Sequence, residues 1–224
     1  MREVVLDTET TGLDPDSGHR IVEIGCVELI NHVATGRHFQ SYVNPERDMP
    51  EEARAIHGLS TELLSKHPVF AKVVDPFLEF IGDAPLVIHN AQFDLRFLNA
   101  ELAKLERAPL DPSRAVDTVA LARQRLPGAQ VNLDALCRRF EIDASERTFH
   151  GALLDCQLLA EVYLELRGGR QPGFDLGKSG RGGTGMMDTR QRPVRPPRPH
   201  GPTAEETAAH DALLATIKDP IWRQ

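Results

Sequence analysis

The sequence is poor in the residues that hold small secreted folds together. Its three cysteines, Cys26, Cys137 and Cys156, are odd in number, far apart and never in a Cys-x-x-Cys pair. They predict reduced thiols in the core of a cytosolic protein, not a disulfide framework. Aromatic residues make up 5% of the chain, and the single tryptophan, Trp222, stands almost at its end. No stretch approaches the roughly 18 consecutive apolar residues of a membrane span, so no membrane partner is expected. The opening "MREVVLDTET" enters strand-like sequence at once and predicts no signal peptide. No internal repeat is visible.

What is present is a chain of 224 residues, 41% hydrophobic, enough for one domain with a sizeable core and an appendage. The net charge of −7 is unevenly spread. Residues 167–202 hold eight Lys/Arg against two Asp, residues 203–224 hold two against four acids, and residues 1–166 are left at −11. An acidic body argues against strong unaided binding to nucleic acid, which depends on Lys and Arg neutralising phosphates. It suits a body that holds cations. The basic stretch reads as a linker, a nucleic-acid contact, or both.

Residues 3–8, 21–30 and about 35–43 read as three strands of an antiparallel meander, with "NHVATG" as the second turn. "MPEEARAIHGLSTELL" predicts short helices with a proline start and a glycine break. "VFAKVVDPFLEFI" predicts a longer helix interrupted or begun at Pro76, and "PLVIHN" a fourth strand. Helical spacing of Phe93, Phe97, Leu98, Leu102 and Leu105 predicts a helix from about Ala91 to Glu106. "AVDTVALARQRL" reads as a brief strand turning into a helix, and two more helices follow, the last ending near Leu166. Strands first, then alternating strand and helix, predict an α/β domain around one mixed sheet.

Four acids stand out. Asp7 and Glu9 lie two apart in "VVLDTETTGL", so both carboxylates share one face of their strand. Asp94 falls on the apolar stripe of its helix, among Phe93, Phe97 and Leu98. Asp155 does the same between Ala152, Leu159, Val162 and Leu166. Unpaired buried carboxylates are expensive, and no lysine or arginine in these motifs stands where it would balance four of them. Divalent ions would. Oxygen-only ligands favour Mg²⁺ or Mn²⁺, and two such ions support cleavage of a phosphodiester.

The motifs "LDTETTGL", "HNAQFDLRFL" and "HGALLDCQLLAEVY" resemble those of the DEDD exonuclease superfamily, in the subgroup with a histidine five positions before the last Asp. The resemblance spans about residues 3–166 and is nearest to the proofreading subunits of bacterial DNA polymerase III. It implies a ribonuclease H-like fold with a five-stranded mixed sheet flanked by helices. By the resemblance, Asp7, Glu9, Asp94 and Asp155 hold two divalent ions, and His150 is the general base. An unperturbed imidazole pKa near 6.5 suits that role. A step of five residues turns a helix by about 140°, so His150 must precede the helix of Asp155 and swing in. The resemblance further implies contacts of Asp7, Thr8, Glu9, Thr10, Gly12, Leu13, Ile56, His57, Asn90, Phe93 and Asp155 with the 3′-terminal nucleotide. Leu13, Ile56 and Phe93 could sandwich its base, with Gly12 admitting close backbone approach. His89, Asp117 and Asp134 read as structural. The implied activity is 3′→5′ hydrolysis of DNA ends within a replisome. An RNA-trimming relative and a non-catalytic bridge are the alternatives.

The domains predicted are 1–166, a tether 167–202, and a terminal segment 203–224. Nine glycines and six prolines among the 36 tether residues exclude regular structure. Within it "QPGFDL", residues 171–176, is similar to the motif by which bacterial replication proteins dock on the sliding clamp, with Gln171 in a polar pocket and Phe174 and Leu176 in an apolar groove. Pro172–Gly173 departs from that motif, where a hydrophobic residue often follows the glutamine. After the tether, Thr203 and Glu206 form a capping box, and Pro220 is expected to end the helix. Leu213, Leu214, Ile217 and Trp222 cannot be buried within so short a segment, which predicts folding on a partner. By the resemblance that partner is the catalytic (alpha) subunit of the polymerase. Pull-down measurements check both tail contacts. Deleting 203–224 should abolish polymerase binding, and Gln171→Ala with Phe174→Ala should weaken clamp binding, while hydrolysis persists in both variants. Undiminished binding in either would remove that contact.

Overall fold

The computed structural model describes residues 1–145, 147, 149–169 and 201–217. The chain divides into two compact units, Met1–Asp175 and Leu176–Gln224. The first is built on a five-stranded sheet with the order β3-β2-β1-β4-β5. Strands β1 (Arg2–Thr10), β2 (Ile21–Ile30) and β3 (Val33–Tyr42) form the antiparallel meander. Strands β4 (Leu86–Ile88) and β5 (Ala115–Asp117) extend it in parallel. The turn from β2 to β3 is shorter than expected. Only Asn31 and His32 lie between the strands, both with positive φ, 51° and 69°. Positive φ at both central residues gives the turn the twist a two-residue hairpin needs, so Val33–Gly36 belong to β3.

Helices α1 (Glu51–His57), α2 (Thr61–Leu64), α3 (Phe70–Ile81), α4 (Ala91–Lys104), α5 (Thr118–Arg125), α6 (Leu133–Arg139) and α7 (Ala152–Leu166) complete the unit. Helix α3 runs unbroken through Pro76. Proline removes one ladder bond and costs ~3 kcal/mol inside a helix. Burial of Phe70, Val73, Val74, Phe77 and Ile81 on both sides of it offsets that loss, at about 1.5–3 kcal/mol for each large side chain.

Two apolar layers sandwich the sheet. Val4, Leu6, Ile24 and Cys26 pack with α3 and α4. Val5, Val27 and Leu29 pack with α6 and α7. Alternation along β1 therefore sends Val5 to the α7 face and Val4 and Leu6 to the α4 face. All three cysteines are buried and free. Strand β1 pairs with β4 only at Val4 and Val5, so the C-terminal half of β1 has no neighbour on that side. Such a parting of strands at their carboxyl ends makes a crevice. Asn90, in the left-handed region at φ 70°, turns the chain from β4 into α4 there. Arg20, just before β2, grips buried Glu101 of α4 through two bonds of 2.5 and 2.8 Å.

Helix α7 lies unusually close to β2. A Cβ on Gly25 would stand 2.3 Å from the Ala152 carbonyl carbon. The Cys156 thiol donates to the Gly25 carbonyl at 3.2 Å. In the second unit, α8 (Ala204–Thr216) starts with the expected Thr203–Glu206 capping box. It ends at Ile217, which is extended, ahead of the expected Pro220. Leu213 and Ile217 are exposed as expected, whereas Leu214 is buried, which corrects the expectation that none of these side chains could be. Gln171, Phe174, Leu176 and Trp222 lie outside the described residues.

Gly25→Ala should force α7 from the sheet. Overpacking of this kind costs about 1–3 kcal/mol, and a domain of this size loses about 2–4 °C per kcal/mol. A thermal midpoint equal to that of the parent would show that α7 is not held by this contact.

Candidate active site

The parting of β1 and β4 is where the four acids meet. Asp7 and Glu9 point to the α7 face, opposite Gly25 and Glu23 of β2. Asp94, in the first turn of α4, is buried and accepts from the Thr8 N–H at 3.0 Å and the Thr8 hydroxyl at 2.7 Å. Asp155, in the first turn of α7, is also buried, and its N–H donates to the Gly151 carbonyl at 2.8 Å. The stripe expected for α7 is observed, since Ala152, Asp155, Leu159, Val162 and Leu166 are all buried.

The repulsion among these groups is visible in their proton affinities. Burial, followed by the charges of Asp155, Glu23 and Asp94, pushes Glu9 up to about 8. Burial pushes Asp94 up to about 7 against the pull of its bonds from Thr8. Asp7 is raised well above the carboxylate range by burial and then by Asp94, Glu9 and Asp155. Desolvation and like charge both favour the neutral acid.

A guanidinium does reach the cluster. Arg147 donates from Nε and Nη2 to the two Asp155 oxygens, each at 2.6 Å, and also pairs with Asp134. Nothing in its spacing announces this, because it comes from the irregular approach to α7. It also donates to His150 Nδ1 at 2.9 Å. His150 precedes α7, as expected, with Nδ1 3.5 Å from Asp155. Its N–H donates to the Ile56 carbonyl at 3.1 Å.

Ligand atoms of Glu9, His150 and Asp155 lie within 4.8 Å of one another. One arginine does not neutralise Asp7, Glu9, Asp94, Asp155 and the buried Glu23. The donor set therefore fits hard divalent cations, which take carboxylate oxygens.

Beside the acids lies a cavity of about 500 Å³. Thr8, Glu9, Thr10, Gly12, Leu13, Ile56, His57 and Phe93 all line it. Leu13 is 80% exposed and Ile56 51%, apolar side chains free to take a flat ring. Asn90 is not among the lining residues, and its N–H donates to Asp117 at 3.3 Å. The space over Gly12 is filled by the His19 ring, 2.3 Å from where a Cβ would stand, so that glycine makes room for His19. Glu52 also lines the cavity and was not singled out from the sequence. His57 is buried, and its Nδ1 accepts from the Leu59 N–H at 3.1 Å. Asp7, Asp134, Arg147, His150 and Asp155 line a second cavity of about 220 Å³. His89 bonds to Thr118 and Asp117 caps α5, both structural as expected.

A family model described as exonuclease matches residues 4–163. The chain is 58% identical over 179 residues to DNA polymerase III subunit epsilon of Rickettsia felis, covering 79% of this chain and 78% of that one. It is 44% identical over 237 residues to DNA polymerase III subunit epsilon of Salmonella typhimurium, covering 99% and 97%. The chain belongs to the DNA polymerase III epsilon subunit family of exonucleases. Among solved structures, exonuclease X in complex with 5′ overhanging duplex DNA is similar with a TM-score of 0.56 and 26% identity, over 73% of this chain and 89% of that one.

The raised acids give a signed pH dependence. With EDTA present, the folded protein keeps protons on Glu9 and Asp94 above pH 5, where the unfolded chain has lost them. Stability then falls as pH rises toward 8. A thermal midpoint falling between about pH 6 and 8.5 in EDTA is expected, with Asp94→Asn flattening the slope. Saturating Mn²⁺ should reverse it, because ligation requires the deprotonated acids. A midpoint that rises with pH in EDTA would refute the repulsive cluster.

Proposed function

We propose that this chain is a metal-dependent 3′→5′ exonuclease and the proofreading subunit of DNA polymerase III, acting on mispaired or single-stranded DNA 3′ ends. The observation that carries the chemistry is the mutually repelling set of half-buried Asp7 with buried Glu9, Asp94 and Asp155, beside a nucleotide-sized cavity that Glu9 lines. Membership of the epsilon family supports the biological setting.

The four carboxylates would hold two divalent ions, Mg²⁺ or Mn²⁺. When bound, such ions activate the attacking water and stabilise the leaving 3′ oxygen. Asp94 is held by two bonds from Thr8, which restricts it to one rotamer and readies it as a ligand. Arg147 would hold Asp155 and His150 in register, through its bonds to both. His150 sits half-exposed beside the acids and would take the proton of the water that attacks the terminal phosphodiester. Leu13, Ile56 and Phe93 would clasp the 3′-terminal base, with Thr8, Thr10, Gly12 and His57 around its sugar and phosphate.

The tail would tie this activity to the replicase. Helix α8 has 13 residues, near the ~12–15 below which an isolated helix is marginal in water. Its exposed Leu213 and Ile217, with Trp222 beyond, would dock on the alpha subunit. Gln171, Phe174 and Leu176 would dock on the sliding clamp.

A single-stranded DNA labelled at its 5′ end tests the reading. With Mg²⁺ or Mn²⁺ it should shorten from the 3′ end, and EDTA or Asp155→Ala should stop it. His150→Ala should slow it by about 10²–10⁴-fold, the range of general-base catalysis. An RNA of the same sequence should be cut much more slowly. No shortening with either metal would refute the proposal, and equal cutting of RNA would replace DNA proofreading with RNA trimming.

A further inference from the structure

Helix α7 carries Asp155 in its first turn, yet its N-cap is Gly151, which supplies no side-chain bond. The first N–H groups of any helix need acceptors. Here one comes from the sheet. The Glu23 carboxylate, on β2 and only 2% exposed, accepts from the Ala152 N–H at 3.2 Å. Leu153 N–H adds a second interaction. On its other oxygen Glu23 accepts from Gln40 Nε2 of β3 at 2.8 Å. Glu23 is also the register partner of Glu9 on β1. One side chain thus touches the start of the Asp155 helix and stands beside the Glu9 strand position. Two residues on, Gly25 lets the same turn of α7 come down onto β2.

We infer that Glu23 is a positioning residue of the nuclease site, capping α7 from the sheet and so setting where Asp155 stands relative to Glu9. Such a buried fifth acid is otherwise hard to account for. It adds repulsion beside Glu9 and is itself pushed toward its neutral form by burial. A glutamine in its place would pack equally well and repel nothing. What the carboxylate adds is a charged acceptor for helix N–H groups, the stronger kind of hydrogen bond. The helix dipole favours that charge at this end. The inference rests on the proposed ligand roles of Glu9 and Asp155.

The test is Mn²⁺ binding to the full-length protein, read from the electron paramagnetic resonance of free Mn²⁺, alongside kcat and KM. Glu23→Ala should weaken Mn²⁺ binding about 10–100-fold, as loss of a group that orients a metal ligand does. Its kcat should fall while KM changes little. Glu23→Gln keeps an oxygen facing the Ala152 N–H but loses its charge, and should fall between Glu23→Ala and the parent in both. Glu3→Ala is the control for lost stability alone. Glu3 is a buried acid held by Tyr163 and His32, and its loss should lower the thermal midpoint without changing Mn²⁺ affinity. Should Glu23→Ala fail to fold, Gln40→Leu replaces it, with a smaller loss of affinity expected. Parental Mn²⁺ affinity in folded Glu23→Ala would overturn the inference. So would a Glu23→Gln protein as weak as Glu23→Ala. A parent that binds no Mn²⁺ would instead remove the ligand assignment, and the inference with it.

Discussion

The repulsion between buried carboxylates at the end of β1 is the constraint around which this unit is built. Asp7, Glu9, Asp94 and Asp155 come from three elements, and each approach must hold against the charge of the others. Hydrophobic burial supplies the force. Leu95, Phe97 and Leu98 seat α4, and Leu158, Leu159 and Val162 seat α7. Each large side chain so buried stabilises by about 1.5–3 kcal/mol. Each helix thus delivers one charged residue to the crevice at the cost of part of its packing energy. Local bonds then lower the cost further, from Thr8 to Asp94 and from Arg147 to Asp155. A site that is destabilising when empty of cations is one in which cation binding and native structure reinforce each other.

The approach of α7 shows how closely backbone and charge are linked. Gly25 removes a side chain so that the helix can descend, the Cys156 thiol reaches the carbonyl left bare, and Glu23 receives the helix end. The loop before α7 is anchored separately. His150 donates its N–H to Ile56 of α1, and the Phe149 ring lies over Gly58, which ends that helix at φ 75°. Helix α1 also supplies Ile56 and His57 to the large cavity. A nucleotide pressing on Ile56 would therefore push on the same backbone that holds His150.

Much of this was legible in the sequence because two periodicities carried it. The period of two in "VVLDTET" put Asp7 and Glu9 on one face, and helical spacing put Asp94 and Asp155 on buried stripes. The meander and the position of His150 ahead of its helix followed from similar local signals. Other features had no local signal. Arg147 lies in an irregular segment, and its grip on Asp155 depends on how that loop folds back. Glu23 is one acid in an apolar strand, and its partner Ala152 is 129 positions away. Pro76 reads as a break unless the burial on both sides is weighed against it. The two-residue turn at Asn31–His32 was missed because neither residue is glycine, although asparagine tolerates positive φ better than most.

The large cavity also bears on selectivity. Its lining joins the apolar Leu13, Ile56 and Phe93 to three threonines and to Asp14, Ser17, His19, Glu52 and His57. Stacking on Leu13, Ile56 and Phe93 would accept any base, because every base offers a flat face. On the proposed function, discrimination against mispaired ends need not come from reading the base. A mismatched terminus unpairs at lower cost than a matched one, so it would reach the site more often. The acidic body fits this logic, since at −11 it has little attraction for DNA of its own. Contact with the polymerase through a tethered tail would instead supply effective concentration. An exonuclease that binds DNA weakly, cuts any base and is held beside a polymerase degrades what frays and leaves paired ends alone.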